Sequence, residues 1–181
     1  MLKSTIAALT LSVAASTAFA ENPMVGGAPM LVERNIVENA VNSADHTTLV
    51  AAVQAAGLVE TLQSEGPFTV FAPVNDAFAA LPEGTVESLL LPENVDQLTT
   101  ILTCHVVGAS VMSDAIAGMI MDADGTYPVE TLGGCVLQAT MTDDMIQLTD
   151  ENGTVATVTI ADVVQSNGVI HVIDAVLTPA M

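Results

Sequence analysis

Apolar residues recur every three or four positions in the first two-thirds of this chain and every second position after Tyr127. Ile36, Val37, Ala40 and Val41 share one helical face. After Asp45-His46, Leu49, Val50, Val53 and Ala56 continue that spacing until Gly57, a helix stop. Glu83–Leu91 reads as a short helix ended by Pro92. Val95, Leu98, Leu102 and His105 line one face of the next helix, with Ile101 beside them, and Ser113 or Asp114 caps a further helical turn. Beyond Tyr127 the alternation predicts strands over Tyr127–Thr131, Cys135–Thr140, Met145–Leu148, Thr154–Ile160 and Val169–Val176. Asp150-Glu151-Asn152-Gly153 supplies a hairpin turn. One strand comes early: Phe68–Phe71 follows Pro67 and stops before Pro73, and Asn75 or Asp76 caps the turn that follows. Helices first and strands afterwards predict an α+β domain, not alternating βαβ units.

Two apolar blocks stand apart from this alternation. Phe68–Phe78 reads FTVFAPVNDAF and Gly168–Pro179 reads GVIHVIDAVLTP, each with a near-continuous apolar run of the kind buried on both faces. Between them lies Leu98–Val107, LTTILTCHVV. In this order the three segments resemble the landmarks of the fasciclin-like domain, an extracellular adhesion module, and the resemblance spans Asn35 to Pro179. It implies a wedge or sandwich of short β-strands with an N-terminal helical layer, in which Phe68–Phe71 pairs with Val169–Val176. The family's Tyr-His pair reads Cys104-His105 here. The resemblance makes His105 a polar pin to the first block, with Thr69, Asn75 and Asp76 as its candidate partners. In animal relatives a Glu-Pro-Asp-Ile-Met segment before the second block is linked to integrin binding. The matching stretch is Ile160–Val164, so the resemblance carries an interaction role to Asp162 and, conservatively, Val163.

Composition adds compartment and surface. Residues 1–20 hold one cation, Lys3, an apolar stretch from Ile6 to Val13 and the small-residue pattern Ala18-Phe19-Ala20, the layout of a cleaved secretory leader. Residues 21–34 read as an arm or linker and 35–181 as one domain. Half the chain is hydrophobic (51%), which supports a core, but with four Phe, one Tyr and no Trp that core rests on aliphatic side chains. An even pair of cysteines in an exported chain predicts a disulfide between Cys104 and Cys135, the alternative being two buried thiols.

Chemistry is sparse. His105, on an apolar helix face, reads first as a core residue, with general base or metal ligand as the functional alternative. His46 and His171 lie in distant segments, and no HExxH, GxSxG, SxxK or phosphate-binding Gly-rich loop occurs. Asp122-Ala123-Asp124-Gly125 begins like a calcium loop but lacks the later ligands, and Asn152-Gly153-Thr154 is a formal glycosylation sequon. The chain therefore reads as a secreted, periplasmic or surface interaction module that binds a protein, matrix or surface component, without catalysis, cofactor or metal. The competing readings are binding of a small ligand or divalent cation through the acidic surface, and a carboxylate-dependent hydrolase.

With Lys3 in the leader, Arg34 is the only Lys or Arg left. One cation against 21 Asp and Glu gives the mature chain a net charge of −20. Such a surface repels nucleic acid and anionic lipid, and no second segment is apolar enough to span a membrane. Screening relieves its self-repulsion, so the melting temperature should rise from low to high salt. A flat or falling temperature in a salt series would contradict this.

Overall fold

The structure, a computed structural model, describes residues 22–180. The secretory leader read over residues 1–20 lies outside them. The arm folds as a hairpin of β1 (Met24–Val25) and β2 (Ala28–Pro29), which turns at Gly26 and Gly27, both at positive φ. Val25 and Met30 are buried in the core, so the arm packs as part of the domain. In α1 (Ile36–Ala40), Asn35 and Glu38 form a reciprocal capping box. A 3-10 turn leads into α2 (Thr47–Ala55), and Gly57 at φ +68° ends it as its sequence position predicts. There follow α3 (Val59–Gln63), β3 (Phe68–Pro73), α4 (Asn75–Ala79), α5 (Thr85–Leu89), α6 (Val95–Thr103), β4 (Val106–Val107) and α7 (Ser113–Asp122).

The β-rich half contributes β5 (Thr126–Glu130), β6 (Val136–Thr142), β7 (Met145–Thr149), β8 (Val155–Gln165) and β9 (Gly168–Ile173). Seven strands form one sheet in the order β4-β3-β9-β8-β7-β6-β5. The two apolar blocks are neighbours in it, parallel from Phe68 opposite Gly168 to Pro73 opposite Ile173. β8 pairs with β7 through Val155, Ala156 and Thr157 and with β9 from Val158 to Gln165, and two irregularities between Val158 and Val163 bend the part that runs along β9. Asp162 sits in that bend at φ +58°.

Alternate side chains of β3 and β9 serve two cores. Val70, Ala72, Ile170 and Val172 pack with α1, α2 and α6; Phe71 and Ile173 face the other way, with α7, β6 and β7. This accounts for the near-continuous apolar runs, because neither face is wet. The expected α+β wedge with its helical layer is the observed architecture.

Two helix starts differ from expectation. Asn75 and Asp76 lie inside α4, whose N-cap is Val74, and Asn75 instead accepts from Thr48 N at 3.0 Å, at the start of α2. Ser113 and Asp114 likewise lie inside α7, whose first N–H is taken by Asp162 Oδ1 at 2.7 Å. Both caps come from distant segments, which no local pattern announces. Val41, assigned to the apolar face of the first helix, is 56% exposed because α1 ends at Ala40.

Cys104 and Cys135 form a buried disulfide with Cα atoms 5.3 Å apart across a sequence separation of 31. Closing such a loop stabilises by about 3–4 kcal/mol in the chain-entropy view. The Cys104→Ala/Cys135→Ala double variant should lose about that much in urea unfolding. Unchanged stability would show that the bridge constrains nothing.

Candidate interaction site

Burial presses polar groups to find partners, and two of the three histidines satisfy both ring nitrogens. His105, just past α6, has Nδ1 2.8 Å from the Ile101 carbonyl, while Nε2 accepts from Leu177 N at 2.9 Å. A carbonyl can only accept and a backbone N–H can only donate, so the ring is held neutral with its proton on Nδ1. Burial pushes its pKa down to about 4; the Ile101 carbonyl and the Asp150 charge oppose that only in part. His105 does pin the helical side to the C-terminal tail, but not through Thr69, Asn75 or Asp76. Its partners are backbone groups, and Asp76 is exposed.

His171 is the mirror case. Its Nδ1 accepts from Asp162 N at 3.2 Å, so the proton rests on Nε2, which donates to the Val111 carbonyl at 2.9 Å. Its ring stacks on Phe71 with centroids 5.7 Å apart. Burial again lowers its pKa, against the Val111 carbonyl and Asp162. Thr69, fully buried, donates to the Ala109 carbonyl at 2.6 Å and accepts from Val111 N at 2.8 Å. Thr69 and His171 thus hold one loop, residues 108–112. His46 pairs with Ser43 through Nδ1 at 2.9 Å, and its buried Nε2 has no hydrogen-bond partner. Burial lowers its pKa as well.

The residues that resemblance carried to a contact surface fare unequally. Val163 is fully buried in the helical-side core and offers a partner no surface, which corrects that expectation. Asp162 is half-buried, and both carboxylate oxygens engage Ser113, one its N–H and the other its hydroxyl. Asn75 bonds Thr47, Thr48 and the Ala44 carbonyl. Among the described residues, no three His, Cys, Asp or Glu converge as metal ligands would, and the Asp122–Gly125 stretch forms the end of α7 and its turn.

Sequence reasoning missed Asn167. Its Oδ1 accepts from Ile36 N at the start of α1, and its Nδ2 donates to the Leu62 and Ser64 carbonyls at the end of α3. An Asn-Gly pair at a strand turn was the available signal.

A family model, Fasciclin domain, matches residues 44–179. The chain belongs to this family. It is 52% identical over 146 residues to Protein sll1483 of Synechocystis sp., covering 81% of this chain and 74% of that protein. It is 38% identical over 131 residues to Transforming growth factor-beta-induced protein ig-h3 of Sus scrofa, covering 72% of this chain and 17% of that protein. A solved FAS1 domain pair from the insect cell adhesion molecule Fasciclin I matches with a TM-score of 0.56 and 25% identity, over 70% of this chain and 42% of that one.

In this fasciclin domain the neutral histidines carry a pH signature. A histidine that stays neutral when folded but binds a proton when unfolded destabilises as pH falls below its unfolded value. For His105 the contribution is complete above pH 6.5 and drains between 6.5 and about 4. The loss is on the order of 3 kcal/mol. His105→Gln should be less stable at pH 7, yet lose less on acidification than the parent when both unfold in urea at high salt. Parallel pH profiles would refute this.

Proposed function

We propose that this fasciclin domain is a secreted, periplasmic or surface-held adhesion module without catalytic activity. The observation that carries the reading is the likeness, in sequence and fold, to the FAS1 domain pair of an insect cell adhesion molecule. The disulfide supports an oxidising compartment. Among the described residues no helix is long and apolar enough to cross a membrane. The non-catalytic reading rests on how the reactive groups are used. Both cysteines are bridged, His105 and His171 have each ring nitrogen committed to the backbone, and no lysine remains beyond Lys3.

On this reading binding uses exposed loops on a rigid scaffold, and its partner is a protein, matrix or surface component. Of the pair transferred by resemblance, only Asp162 has exposed surface. Beads carrying the oxidised domain should retain native envelope or matrix material that beads carrying the reduced, unfolded chain do not. Asp162→Ala should weaken that retention. Equal retention by folded and unfolded chains would end the adhesive reading, whereas retention unchanged in Asp162→Ala would remove Asp162 from the contact.

A further inference from the structure

The seven-stranded sheet is not closed. Its order ends at β4 on one side and β5 on the other, and a groove of about 500 Å³ lies beside those two edges. Phe71, Ile116, Met119, Tyr127, Val129 and Val107 line it, from β3, α7, β5 and β4. Phe71 and Ile116 are buried, while the other four are half-buried, so the groove is where the second core meets solvent. Its volume falls within the range of small-molecule sites.

Three ties hold its margins. The Thr69 hydroxyl and His171 hold Ala109 and Val111, which line it. Asp162 fixes the start of α7. Beyond β5, Leu132 N bonds the Val106 carbonyl at 2.8 Å and Gly133 N the Thr103 carbonyl at 3.0 Å, beside the Cys104–Cys135 bridge. The site is therefore preformed, as ligand pockets usually are.

The edge itself argues against a peptide strand as occupant. Thr131 N bonds the Cys135 carbonyl, which fixes the ladder so that Thr126, Pro128 and Glu130 face away from β6. Pro128 has no N–H, so the free edge lacks its central donor. The charge decides the rest. Among the described residues, Glu130 is the one carboxylate lining the groove and no cationic side chain lines it, and the whole chain has a net charge of −19. Thr69 is the lining hydroxyl deepest in the core, and its hydrogen bonds are already used.

We propose that this groove binds a small cationic amphiphile, with its apolar body among Phe71, Met119 and Val129 and its cationic head toward Glu130. Anionic amphiphiles such as fatty acids are disfavoured by the same field. The site does not depend on the adhesive reading.

The test uses the oxidised domain and two fluorescent probes with one apolar body: diphenylhexatriene carrying a trimethylammonium group, and its propionate counterpart. The cationic probe should bind saturably at one site, with the anionic probe at least about tenfold weaker. Met119→Trp, which fills the groove, should weaken the cationic probe at least about tenfold, with Val129→Phe as a second blocking variant. Met121→Trp, at a position 71% exposed and outside the groove lining, should leave binding unchanged. Glu130→Gln should narrow the preference for the cation. Circular dichroism and melting select the variants that fold. No saturable binding, or binding indifferent to a folded blocking variant, overturns the site. Equal binding of both probes overturns the cationic ligand.

Discussion

A parallel pair of adjacent strands with no wet face governs this fold. β3 and β9 send Val70, Ala72, Ile170 and Val172 to one side and Phe71 and Ile173 to the other, and each side needs a cover. The helices before and between the blocks cover one face; α7 and the antiparallel strands cover the other. β8 has to serve both halves of the sheet, passing from β7 to β9 at Thr157 and Val158, and its irregularities between Val158 and Val163 bend the part that runs along β9. Glycine meets the same constraint at the entry to β9. A Cβ on Gly168 would stand 2.1 Å from the Phe68 carbonyl oxygen, so the second block can begin beside the first only with no side chain there.

Burying that pair also fixes the histidines. Each lies in a protein whose net charge of −19 favours protonation, and Asp150 and Asp162 pull the pKa of His105 and His171 upward. Desolvation by burial still wins at both, and the backbone N–H that each ring's second nitrogen accepts also requires the neutral form. Protonating Nε2 of His105 would aim a second donor at Leu177 N–H, and protonating Nδ1 of His171 would do the same to Asp162 N–H. Position and tautomer are thus one constraint. The histidine on the apolar face is a packing element whose polarity is spent on the backbone.

That explains what the sequence could and could not reveal. The change of apolar period foretold the α+β architecture, the resemblance carried by the two blocks implied the pairing of β3 with β9, and the even pair of cysteines pointed to the disulfide; each of these depends on side-chain type. The partners of His105 were missed since Ile101 and Leu177 contribute only backbone atoms, which every residue possesses. The caps were missed for a related reason. Asn75 serves α2, Asp162 serves α7 and Asn167 serves α1, across 27, 49 and 131 residues. An Asn or Asp beside a helix suggests a local cap; here β3 and β9 bring the flanking chain close enough to cap other helices. The α3 and β4 segments are too short, at five and two residues, to establish a period.

The same reasoning separates scaffold from surface. Val163 follows the apolar pattern of a strand and is buried by it, so a match in a recognition segment was in fact a match in the core. Asp162 is set at positive φ by the bend of β8, and its carboxylate is committed to the start of α7. Its primary constraint is therefore architectural. What the fold leaves uncommitted is the gap between its edges. β4 has only two residues, and β5 carries Pro128 where an outward donor would be needed, so a regular ladder cannot zip the sheet shut. The chain closes one end with a backbone and disulfide clasp, and the apolar side chains of the second core remain accessible along the gap. The opening follows from the strands themselves, so it does not depend on the conformation of the loops.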